Sequence, residues 1–96
     1  MLSIDNMKYV VSTLAPKYGI AKVELFGSYA EGFATEDSDA DFLVRFLVEN
    51  PSIFKVMGFR EELGRALRCP VDVVTLPLPN PQKMNIDKVV SIYESA

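Results

Sequence analysis

Histidine is absent from the 96 residues of this chain. That removes Ser-His and Cys-His nucleophile activation and every histidine-based zinc site. Any catalysis must therefore run on carboxylates, hydroxyls, lysines and metals. Cysteine occurs once, as Cys69. No internal disulfide can form, and a reducing, cytoplasmic setting is the expectation. Basic charge is also in short supply: ten Lys and Arg stand against 13 Asp and Glu, for a net charge of −3. That balance argues against general affinity for a nucleic-acid backbone. No apolar run approaches the length of a membrane span. Met1 to Lys8 carries acidic Asp5 and lacks the basic and apolar regions of a secretory signal.

Hydrophobic residues make up 49% and charged residues 24% of the chain, an ordinary globular composition. At this length the expectation is a single domain over residues 1–96 with one core. There is no internal repeat and no low-complexity segment.

The chain is organised around Leu25 to Val44. This stretch reads as a strand, a tight Gly27-Ser28 turn, a short helical or looped excursion, and a second strand opened by Asp39 and Asp41. Side chains alternate faces along a strand, so the two aspartates point the same way, roughly 6–7 Å apart. Two carboxylates on one face repel unless a cation lies between them. Mg²⁺ suits such a pair, because it takes one or two carboxylates and completes its shell with water and phosphate oxygens. Gly27-Ser28 supplies the complementary half: a glycine turn with free N–H groups at a helix start is an anion site. Together they suggest a site for a metal–nucleoside triphosphate. Asp-x-Asp or Gly-Ser alone would be weak, since acidic residues crowd turns for local reasons. Their combination between apolar runs is much rarer.

In chain order, Ser3 or Asp5 caps a first helix running to about Tyr18, with Met7, Val10, Val11 and Leu14 facing the core. Pro16 disturbs its last turn or ends it near Leu14. Ile20 to Phe26 is the first strand. Phe42 to Val48 continues the strand of Asp41, with Phe42, Val44 and Phe46 on one face and Leu43 and Arg45 on the face of the aspartates. Arg45 there balances the carboxylates, touches a phosphate, or is a solvated strand-end charge. Asn50 and Pro51 read as cap and first residue of a helix to about Leu67. Its apolar face is Ile53, Val56, Met57, Leu63 and Leu67, and Arg60, Glu61, Glu62, Arg65 and Arg68 read as solvated.

Val71 to Leu76 is a third strand. Asp72 is out of place in that β-branched run and costly to bury unpaired. If this strand lies beside that of Asp41, Asp72 completes a three-carboxylate cluster. Pro77, Pro79 and Pro81 form a stiff connector, and a last helix is expected from about Gln82 to Tyr93, with Ile86, Val89, Val90 and Tyr93 on one face.

Three carboxylates around two divalent ions are the parts needed for in-line attack on a nucleoside triphosphate. Asp39 and Asp41 would bridge both ions, Asp72 would hold the ion at the nucleophile, and Gly27 and Ser28 would bind the β- or γ-phosphate.

The runs Gly27-Ser28-Tyr29-Ala30-Glu31-Gly32, Ser38-Asp39-Ala40-Asp41-Phe42-Leu43-Val44 and Val71-Asp72-Val73-Val74 resemble the minimal nucleotidyltransferases of the polymerase-β superfamily. The nearest functional kin are the MntA-type antitoxins paired with HEPN-domain ribonuclease toxins. The resemblance implies an α/β (α+β) nucleotidyltransferase fold: a mixed sheet of about three to four strands with helices packed mainly on one face. It implies transfer of AMP from ATP to a tyrosine of the toxin, with two Mg²⁺ ions as cofactors. Asp39, Asp41 and Asp72 would be the metal-binding and catalytic carboxylates, and Gly27 and Ser28 the phosphate-binding pair. The expected partner is a HEPN toxin in a hetero-oligomer, with no membrane and no direct nucleic-acid contact. One departure is Glu31, where many members carry a basic residue. Little chain remains to build a nucleobase pocket, so a partner is expected to complete the site. Core packing is the expected fate of Tyr29 and Phe33, with contact to a base as the alternative for each. The competing readings are an antitoxin that acts by binding alone, and nucleotidyl transfer to a small-molecule or nucleic-acid hydroxyl.

Overall fold

The computed structural model describes residues 2–76 and 88–95. The elements among them are α1 (Ile4–Tyr18), β1 (Ile20–Phe26), α2 (Ser28–Glu31), β2 (Ala40–Phe46), α3 (Ile53–Leu67), β3 (Val71–Thr75) and β4 (Val90–Glu94). The four strands form one mixed sheet in the order β3-β2-β1-β4. β1 pairs antiparallel with both β2 and β4, and β2 pairs parallel with β3. The parallel pair needs a crossover, and α3 supplies it. The expected mixed sheet and helical layer are thus present.

Helix α1 starts where the Ser3 hydroxyl accepts the Asn6 N–H at 3.0 Å. Met7, Val11 and Ala15, spaced four apart, are fully buried, and Gly19 ends the helix by returning its N–H to Ala15 O. Pro16 does not stop α1 early. It lies exposed in the last turn, where its missing N–H costs a single bond, and the helix continues to Tyr18.

The core lies between the helices and one sheet face. Val23 and Leu25 of β1, Phe42, Val44 and Phe46 of β2, Val71 of β3 and Ile92 of β4 meet Met7, Val11 and Ala15 of α1 and Phe59, Leu63 and Leu67 of α3. The alternation along β2 places Asp41 and Arg45 on the opposite face, as the period-2 pattern requires.

Three expectations need correction. Helix α3 is capped by Ser52, whose hydroxyl accepts the Phe54 N–H at 3.1 Å, not by Asn50. Its buried stripe is Phe59, Leu63 and Leu67, with Val56 packed alongside, whereas Ile53 and Met57 are 61% and 48% exposed. Ile53 and Met57 are a turn apart on a neighbouring stripe that lies outside the buried one. The last helix is not formed over Val90–Glu94, which is a strand on the free edge of β1. Val90, Ile92 and Tyr93 are β-branched or aromatic, and Ile92 is buried with polar Ser91 exposed beside it. The rest of that expected helix and the proline connector lie outside the described residues. Smaller differences are that β2 ends at Phe46 rather than Val48 and that Asp39 immediately precedes it.

Glu62 is not a solvated bystander. Its carboxylate accepts from Lys17 Nζ and from the Tyr18 hydroxyl, tying α3 to the end of α1, and the Tyr18 ring packs edge-on against Phe59 at 5.8 Å. The bond from Lys17, followed by that from Tyr18, holds the Glu62 carboxyl below its ordinary range. A carboxyl depressed in the folded state stabilises it above the unfolded value and loses that contribution as pH falls through the folded value. Thermal melts across pH should show Glu62→Gln less stable than the parent above about pH 4.5. The two melting curves should converge under more acid conditions. Superimposed profiles would mean that the Glu62 contacts contribute nothing, and a constant offset would mean that their contribution does not depend on ionisation.

Candidate active site

The carboxylates come together because of strand register. Asp41 sits in β2 between Phe26 of β1 on one side and Asp72 of β3 on the other. Parallel pairing with matched register brings Asp41 and Asp72 side by side on the sheet face away from α1 and α3. Asp39 is delivered by a tight turn: Ser38 N–H donates to Thr35 O at 3.1 Å, and the Ser38 hydroxyl accepts the Thr35 N–H at 2.8 Å. Glu36 and Asp37 are exposed on this turn. The Ala40 N–H then donates to Pro70 O at 2.9 Å, starting the β2–β3 pairing.

Gly27 is pressed against this cluster. Its backbone lies at φ 74°, ψ −154°, a region that essentially only glycine occupies. A Cβ at this position would overlap Asp41 Oδ2 and stand 3.2 Å from Asp41 Cγ. Gly27 thus allows the turn into α2 to pass directly over the Asp41 carboxyl. The first-turn N–H groups of Ser28, Tyr29 and Ala30 have no intrahelical acceptor by helix geometry, while the Glu31 N–H closes on Gly27 O at 3.0 Å. Glu31 itself is exposed at the end of α2.

The electrostatics are those of a cluster awaiting positive charge. Burial, then the negative charges of Asp72 and Asp39, push the Asp41 carboxyl above its ordinary value. An all-oxygen carboxylate set carrying excess negative charge fits a hard divalent cation. As placed, no three acidic side chains among the described residues stand close enough to grip one ion together. Asp72 also has an attraction outside the cluster: Arg60 of α3, whose Nη2 lies 4.0 Å from Asp72 Oδ1.

Arg60 was missed as a site residue because on a helical wheel it belongs to the polar face. Its Nε donates to Val71 O at 3.0 Å, on the side of β3 away from β2, and β3 is an edge strand among the described residues. Only the sheet order reveals that edge. Arg45, the cation considered for the carboxylates, is exposed four residues beyond Asp41, roughly 13 Å along the strand, and lies by a groove with Phe46, Leu47 and Leu76. Tyr29 packs against the core, whereas Phe33 is 76% exposed.

Sheet order, crossover helix and carboxylates on the open face define a nucleotidyl-transfer class of fold, and comparison with known proteins agrees. Residues 4–94 match the family described as "Nucleotidyltransferase domain". The chain is 36% identical over 78 residues to the protein adenylyltransferase MntA of Thermococcus cleftensis, covering 77% of this chain and 78% of that one. Among solved structures, a toxin–antitoxin with AMP-PNP superposes with a TM-score of 0.70 at 19% identity, covering 98% of this chain and 75% of that chain. A tri-AMPylated Shewanella oneidensis HEPN toxin in complex with its MNT antitoxin matches with a TM-score of 0.70 at 16% identity, covering 97% and 74%. The chain belongs to the nucleotidyltransferase domain family and is a nucleotidyltransferase of MntA-like type. No described helix is long and apolar enough to cross a membrane.

Proposed function

We propose that this chain is a metal-dependent protein adenylyltransferase, an antitoxin that moves AMP from ATP onto a tyrosine of a HEPN-domain toxin. The observation that carries this reading is the in-register juxtaposition of Asp41 and Asp72, with Asp39 at the strand entrance and the Gly27 backbone against Asp41. The relatives support its direction: one is an adenylyltransferase, and another is an antitoxin bound to an AMPylated toxin.

In the proposed reaction the tyrosine oxygen attacks the α-phosphorus of ATP. The bond from that phosphorus to the bridging oxygen breaks, and pyrophosphate leaves with the electron pair. Asp72, exposed on β3, takes the phenolic proton. Asp39, Asp41 and Asp72 would hold Mg²⁺, which supplies polarisation of the phosphate and neutralises charge on the leaving pyrophosphate. Gly27 and Ser28 present backbone N–H groups to the outer phosphates. Positioning and electrostatics do most of the work in such a transfer.

The test separates catalysis from sequestration. Asp39→Asn should still co-purify with the HEPN partner but no longer silence its ribonuclease activity in the presence of Mg²⁺ and ATP. Silencing that persists in the variant, without ATP, would establish an antitoxin that acts by binding alone.

A further inference from the structure

We infer that Arg60 is a positioning residue that aims Asp72 and sets how tightly the carboxylate cluster holds its cation; this rests on the AMP-transfer reading of the site. Arg60 lies on the side of α3 that faces the outer edge of β3. Its Nε is fixed on Val71 O at 3.0 Å, the carbonyl immediately before Asp72, and Nη2 reaches toward Asp72 Oδ1 at 4.0 Å. The planar guanidinium makes both contacts from one rigid fork, which a lysine ammonium cannot do. Gly64, one turn later, lines a cleft with Arg60 and Asp72. Met57, one turn earlier, lines the same cleft with Asp39 and Asp72.

The consequence is a competition. Asp72 is drawn outward by Arg60 and inward by any cation shared with Asp41. Arg60 therefore weakens cation binding while it holds the Asp72 carboxylate where the acceptor hydroxyl arrives. The Arg60 and Asp72 side chains are 57% and 56% exposed, so solvent screens the pair and the effect on affinity is modest, about two- to fivefold.

The test is a Mn²⁺ titration by calorimetry on the purified chain, paired with AMP-transfer kinetics and a thermal melt to confirm folding. Arg60→Met should bind Mn²⁺ about two- to fivefold more tightly than the parent, yet lose roughly tenfold in kcat with KM for ATP unchanged. Arg60→Lys keeps the charge but not the fork. It should return Mn²⁺ affinity to within about twofold of the parent without restoring kcat. Equal or weaker Mn²⁺ binding by Arg60→Met overturns the proposal, as does full kcat in Arg60→Lys. If the parent transfers no AMP, the proposed function fails, while the Mn²⁺ comparison still decides the role of Arg60.

Discussion

Replacing Asp41 by Asn should abolish nucleotidyl transfer and, without divalent cation, make the protein more stable. Asp41 is the most hemmed in of the three carboxylates, with Gly27 over it and Asp72 beside it in register. Burial and the neighbouring charges raise its carboxyl above the ordinary value. For such a group, stability is fully present below the unfolded value and is lost as pH rises through the folded one. At neutral pH the ionised carboxylate thus strains the fold, and the isosteric amide relieves it. Melts in chelator should show Asp41→Asn above the parent at pH 7 and level with it in acid. Added Mg²⁺ or Mn²⁺ should raise the parent's melting temperature and leave the variant's unchanged, because cation binding to the folded state stabilises by mass action. Transfer should fall by at least about a thousandfold, roughly 4 kcal/mol of lost transition-state stabilisation. A variant that is less stable in chelator, or still shifted by cation, would show that Asp41 is not the charged centre of the site.

The second large effect is expected at Gly27. Alanine there incurs strain in a region reserved for glycine, about 1–3 kcal/mol, and its methyl also displaces the Asp41 carboxyl. Gly27→Ala should lose at least about 2 kcal/mol and bring transfer close to the background of Asp41→Asn. Gly32 is the internal control. It also has positive φ, 85°, but nothing lies within 4 Å of a Cβ built on it. Gly32→Ala should cost only about 1 kcal/mol and leave transfer intact. Equal effects on transfer from the two substitutions would remove the close approach of Gly27 to Asp41 from the account.

The site was legible in the sequence to the extent that it depends on local order. Asp39 and Asp41 share a parity, Gly27 ends an apolar strand, and Asp72 interrupts a β-branched run. What joined them was a guess about adjacency, and the parallel β2–β3 register supplies it. The misreadings arose where several local patterns fit equally well. Helix α3 offers two apolar stripes, and only the position of the sheet selects Phe59, Leu63 and Leu67 over Ile53 and Met57. Ile86, Val89, Val90 and Tyr93 fit a helical period, yet Val90 to Glu94 also satisfies a strand, and the open edge of β1 decides the matter. Arg60 was invisible for the same reason: its function depends on β3 being an edge strand, a property of the sheet and not of the residues around it.

The most direct test of the account is label transfer from ATP carrying radiolabel at the α-phosphate, in Mg²⁺, to a HEPN-domain partner. Label should appear on the partner with the parent chain, be absent with Asp39→Asn, and be lost when the acceptor tyrosine is changed to Phe. An unlabelled partner that is nevertheless held inactive in a stable complex would contradict it.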